Sequence, residues 1–113
     1  MNKRNALAIA AVLLLANPAG AQVDGHQLQK FRQEAEALND GKPDANRYRA
    51  GFYGGYLAGM LDALEGRSVC FKACRCEVDD KLAGYLADNP AKRDLPASTW
   101  LVKLLEEWYP CPK

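Results

Sequence analysis

The sequence contains one histidine, His26, and its serines and threonines, among them Ser68, Ser98 and Thr99, stand in no nucleophile motif. A His-based catalytic triad therefore has nothing to be built from. No apolar run is long enough to cross a bilayer, which takes about 20 residues as a helix. The longest, Ala6 to Ala16, has 11. No charge of either sign dominates, with 15 basic against 14 acidic residues, so the electrostatic footprint of a nucleic-acid or anionic-membrane binder is missing. The chain has no C-x-x-C pair, no internal repeat and no stretch with the alternation of a strand.

What is present begins with a leader. Lys3 and Arg4 precede the apolar run, and Ala19-Gly20-Ala21 supplies small residues at the −3 and −1 positions of a cleavage site before Gln22. Residues 1–21 are thus expected to be a signal peptide, and 22–113 a single helical domain exported to an oxidising compartment, most simply the periplasm. Removing Lys3 and Arg4 takes the formal net charge from +1 to −1. No lipid anchor is expected, because no cysteine follows the apolar run.

Four helices can be placed. The first opens at Asp24, with Gln27 three residues on completing a capping box; Leu28, Phe31, Ala35 and Leu38 keep helical spacing up to the breaker Asn39-Asp40-Gly41-Lys42-Pro43. The second spans about 46–65. The third, about 77–88, presents Val78, Leu82, Tyr85 and Leu86 on one face and stops at Asn89-Pro90. The fourth starts at Leu95-Pro96 and buries Ala97, Leu101, Leu104, Leu105 and Trp108, leaving Trp100 half-exposed as an interface anchor. The fold predicted is a small all-α bundle stapled by disulfides. The paired carboxylates Asp79-Asp80 and Glu106-Glu107 read as solvated faces.

The second helix carries Gly51, Gly54, Gly55 and Gly59, at a cost of about 0.8–1 kcal/mol each relative to alanine. Gly51, Gly55 and Gly59 recur every four residues, beside Ala58 and Asp62, with Phe52, Tyr56, Met60 and Leu64 on another side. The stripe is expected to let a helix or segment of the same domain pack closely, or to form the seam of a homodimer, so that Gly55→Leu would disrupt the domain.

The four cysteines are Cys70, Cys74, Cys76 and Cys111. In an exported chain they read first as structural disulfides, for which three complete pairings exist. Four thiolates could also hold Zn²⁺ or Cu⁺, and Lys72 and Arg75 could activate a redox thiol, but the usual hooks are absent for both. No cofactor or metal is expected.

The order of GYLAG (55–59), Asp62, Cys70, Tyr85-Leu86, Pro90 and the closing Tyr109-Pro110-Cys111 resembles the type VI secretion amidase immunity proteins of the Rap-like and Tai-like group. The resemblance covers nearly all of the expected mature chain. It implies an all-α, often dimeric periplasmic protein without enzymatic activity, which binds a secreted peptidoglycan amidase and blocks its active-site cleft with a loop. Family cysteines near the first helix and before the GY motif are replaced here by Phe31-Arg32 and Phe52-Tyr53-Gly54. If that pair is lost together, the resemblance implies Cys70–Cys111 as the retained bridge. Cys74 and Cys76 are additions, and 70–74 or 70–76 with the other bonded to Cys111 stay open. The loop candidates for partner contact are Arg67, Lys72 and Arg75 in one segment and Lys92, Arg93 and Asp94 in another. A small envelope chaperone and a periplasmic thiol-metal carrier are the competing function classes.

Overall fold

The computed structural model describes residues 22–113, and the expected leader lies outside them. The elements are α1 (Gly25–Asn39), α2 (Arg47–Leu64), α3 (Arg75–Asp88), a five-residue 3₁₀ turn (Pro90–Asp94) and α4 (Ala97–Trp108). Among the described residues there is no strand, only isolated bridges such as Asp24 with Pro96 and Val69 with Pro110. The fold is the small all-α bundle that the periodicity predicts. No helix of the described residues is long and apolar enough to cross a membrane.

The helix ends are set by local chemistry. The Gln27 amide donates to the Asp24 carboxylate at 2.8 Å and the Asp24 amide to Gln27 Oε1 at 3.2 Å, which satisfies two N-terminal donors reciprocally. At the other end of α1, Gly41 takes φ +74°, a conformation that strains any side chain. From there the Gly41 and Lys42 amides reach the carbonyls of Leu38 and Ala37. Asn46 caps α2 through the Arg49 amide, and its own amide donates to Glu34 of α1 at 2.8 Å, so the α1–α2 turn is fixed from both sides.

The core draws on every helix: Leu28 from α1, Tyr53, Leu57 and Leu61 from α2, Val78, Leu82 and Leu86 from α3, and Leu101 and Leu105 from α4. Val69 joins it from the loop before α3. Trp108 packs at the margin, partly buried.

Close backbone approach is found at a different glycine from those the spacing picked out. A Cβ at Gly25 would stand 2.5 Å from Arg93 Cα and 2.8 Å from the Lys92 carbonyl oxygen. Here the start of α1 lies against the 3₁₀ turn, held by the Gly25 amide on Leu95 O at 3.1 Å and the Ala97 amide on Val23 O at 2.8 Å. By contrast Gly51, Gly54, Gly55 and Gly59 have nothing within 4 Å of an added Cβ. The expectation that this stripe packs inside the domain is corrected: Gly51, Gly55 and Gly59 are exposed. The period misled because α2 is apolar nearly all round, so the spacing of its glycines does not show which side faces inward.

Candidate functional site

The side of α2 that enters the core carries Ala50, Tyr53, Leu57 and Leu61. The opposite side is open. Its floor is Gly51, Gly55 and Gly59, with Tyr48 78% and Phe52 36% exposed beside them. Phe52 stands edge-on to Phe31 of α1 at 5.1 Å and stacks on Tyr56 at 6.3 Å, so the aromatic wall along the glycine floor is already ordered. No charged residue interrupts this helix between Arg49 and Asp62. Tyr48 and Phe52, with Leu95, are the exposed large apolar residues among the described residues.

Behind the helix, between α1, α2 and the start of α3, lies a cleft of about 560 Å³. Asp79, expected as one of two solvated carboxylates, is half-buried here. It accepts a short hydrogen bond from the Tyr53 hydroxyl. Arg32 Nε lies 3.2 Å away, an ion pair without the alignment of a hydrogen bond, while Arg32 Nη1 donates to Glu36 at 3.2 Å. Burial first, and then the bond to Asp79, push the Tyr53 hydroxyl far above its ordinary range. Tyr53 thus stays protonated at neutral pH and ties α2 to α3 through its bond to Asp79. The sequence reading missed it, although Tyr53 is in helical register with Ala50, Leu57 and Leu61.

The loop from α2 to α3 is held at many points. Disulfides join Cys70 to Cys111, with Cα atoms 4.7 Å apart, and Cys74 to Cys76, 5.2 Å apart. This is the bridge that the resemblance implied, and it overturns the 70–74 and 70–76 alternatives. The four-thiolate metal reading needs sulfurs that are here taken up in pairs. The Cys70 amide donates to Tyr109 O at 2.9 Å, the Phe71 amide to Glu65 at 3.0 Å, and the Phe71 and Tyr109 rings meet edge-on at 5.0 Å. Tyr109 in turn donates to Glu77 at 2.8 Å. Burial, followed by that bond, pushes its hydroxyl up to about 12. On this braced loop Arg67 and Lys72 are exposed, as is Arg75 at the start of α3; Arg75 also reaches Gly54 O at 3.4 Å.

The second candidate segment is mostly engaged within the chain. Arg93 donates twice to Leu86 O, at 3.0 and 2.8 Å, closing the C-terminal end of α3. Trp100 is 4% exposed and packs on Tyr85, and its Nε1 donates to Lys92 O at 3.0 Å. The half-exposed anchor expected at Trp100 is therefore corrected to a buried strut. The reason is the 3₁₀ turn, which folds back over the indole and accepts its N–H. Asp94 remains exposed, 2.8 Å from His26 Nε2. The structure thus separates the candidates: Arg67 and Lys72 project from the loop and Arg75 from the first turn of α3, whereas Lys92, Arg93 and Trp100 hold the bundle together.

A family model described as Rap1a immunity proteins matches residues 24–111 of this chain. No curated protein and no solved structure matches it.

Proposed function

This chain belongs to the Rap1a immunity protein family, and from that premise we propose that it neutralises a secreted peptidoglycan amidase in the periplasm by obstructing its active-site cleft. Immunity to a secreted effector is the family's character; the amidase target, the exported location and the surface used are our reading. The observation that carries it is the loop after α2, whose Cys70–Cys111 bridge and backbone bonds hold residues 65–71 in place and present Arg67 and Lys72 beside Arg75, the first residue of α3. A loop ordered before contact loses little entropy on binding, which favours tight, stoichiometric inhibition without chemistry by the inhibitor.

The test is a titration of the oxidised mature protein against the product of the gene immediately upstream, following binding and peptidoglycan hydrolysis together. Stoichiometric binding that abolishes hydrolysis is expected. Neither the Arg67 nor the Lys72 side chain bonds within the described residues, so Arg67→Glu/Lys72→Glu should fold normally. That variant should bind at least about tenfold more weakly, a loss of about 1.4 kcal/mol. Unchanged affinity would remove the loop from the interface, and no binding by the wild type would defeat the reading.

A second copy of this chain is the occupant we assign to the open face of α2. The middle of the face, Gly51 to Gly59, is uncharged, so it can meet itself without repulsion, and an antiparallel crossing about Gly55 sets Tyr48 of one chain opposite Asp62 of its partner, seven residues to either side. Such an isologous contact is the commonest route to a symmetric dimer. Because nothing in the monomer meets a Gly55 side chain, Gly55→Leu should leave the monomer folded and raise its helix propensity by up to about 1 kcal/mol. In sedimentation the same change should convert dimer to monomer. A wild type that is monomeric at high concentration, or a Gly55→Leu variant that stays dimeric, would overturn the assignment.

A further inference from the structure

The two disulfides differ in their exposure and in the length of the loop each closes. Cys70–Cys111 sits among Val69, Phe71 and Tyr109, half-buried, and spans a separation of 41 residues. Cys74–Cys76 spans a separation of 2, and every residue from Lys72 to Glu77 is exposed around it. A short loop constrains the unfolded chain little, so opening this bond costs the fold little. Exposed disulfides are also the labile ones, with more oxidising potentials than buried structural bridges.

A second observation concerns the product of opening. Cys74 is the N-cap of α3, and its side chain makes no capping bond. At the corresponding positions of α1 and α2 the side chains of Asp24 and Asn46 accept from the first turn. No side chain serves the first-turn donors of this 14-residue helix, and the Glu77 amide turns to Cys74 O at 3.1 Å instead. A thiolate released at Cys74 would occupy that position, beside the exposed Arg75. Stabilising the reduced form in this way makes a disulfide a stronger oxidant.

We propose that Cys74–Cys76 is a thiol–disulfide exchange site that oxidises accessible dithiols, such as a cysteine pair on an unstructured peptide, while Cys70–Cys111 is the structural bridge. A substrate thiolate attacks Cys76 Sγ, forming a mixed disulfide and releasing Cys74 as the thiolate. The second substrate thiol then attacks the substrate sulfur of that mixed disulfide and releases Cys76. The substrate dithiol gives up two electrons and two protons, and Cys74 and Cys76 take them up. This activity is independent of effector binding and stands or falls separately from it.

The test uses the full oxidised protein in graded dithiothreitol, quenched by alkylation and mapped by peptide mass. Cys74 and Cys76 should be alkylated at a reductant ratio at least about tenfold below that needed for Cys70 and Cys111, a gap of about 30 mV or more. In a second arm the oxidised protein is mixed with an equimolar unstructured peptide carrying two reduced cysteines. The wild type should convert the peptide to its disulfide and become dithiol at Cys74 and Cys76. The Cys74→Ser/Cys76→Ser variant, which keeps the structural bridge, should not. Joint reduction of the two bonds, or equal peptide oxidation by wild type and variant, would overturn the proposal. Alkylation of Cys74 and Cys76 before any reductant is added would do so as well.

Discussion

Gly25→Leu is expected to leave the protein largely unfolded at room temperature, the most severe outcome of any single change considered. The atoms that a side chain at Gly25 would meet are all backbone: Arg93 Cα at 2.5 Å, Lys92 O at 2.8 Å and Arg93 O at 3.1 Å. Backbone cannot rotate away as a lysine tip can, so α1 and the 3₁₀ turn must part. Their separation strains the Gly25 bond to Leu95, the Ala97 bond to Val23 and the carbonyl of Lys92 that holds Trp100. Overpacking by a single methyl costs roughly 1–3 kcal/mol, which sets the expectation for Gly25→Ala. Leucine exceeds that range and so consumes much of the 5–15 kcal/mol available to a typical domain. Urea denaturation of Gly25→Ala checks the smaller step, with Gly84→Ala as the control. The control should gain stability, because Gly84 is exposed within α3 and meets nothing within 4 Å. Equal midpoints for the two variants would refute the close approach.

Removing the long disulfide comes second. Cys70→Ser/Cys111→Ser should lower the unfolding free energy by about 4 kcal/mol, the chain-entropy value for a loop of this length. Removing Cys74–Cys76 should cost well under half as much, because its loop is so short. The contrast is read from denaturant midpoints of the two double variants at a common slope. The contacts around Tyr109 are what remain to hold α4 to the loop once the bond is gone: the Cys70 amide on its carbonyl, the Phe71 ring, and Glu77 on its hydroxyl. If both variants lost equal stability, loop length would not be the governing term.

The helices were legible because their signals are local. Asp24 and Gln27 write a cap within four residues, Gly41 ends α1, and Val78, Leu82 and Leu86 repeat at helical spacing. Failures came where the deciding contact is distant in sequence. Nothing near Trp100 shows that residues 90–94 will fold over it, and nothing near Asp79 shows that Tyr53, 26 residues earlier, will reach its carboxylate. The glycines of α2 failed for another reason. A helix apolar on all sides has no period to orient it, so its bare face was mistaken for its packed one. The loop carrying Arg67 and Lys72 is legible as the segment between the second and third helices, but the bonds that brace it reach Tyr109, at the far end of α4.

The clamp between Val23–Gly25 and residues 93–97 sets an order of events during synthesis. The chain emerges from its N-terminus, so α1 and α2 are free to pair early across a short turn. The start of α1 must wait until Leu95 and Ala97 appear, and Cys70 must wait for Cys111. Both closures join segments far apart in sequence, the kind of contact that forms slowly. Without residues 95–97 and Cys111, the start of α1 and the Cys70 sulfur have no partners to close on.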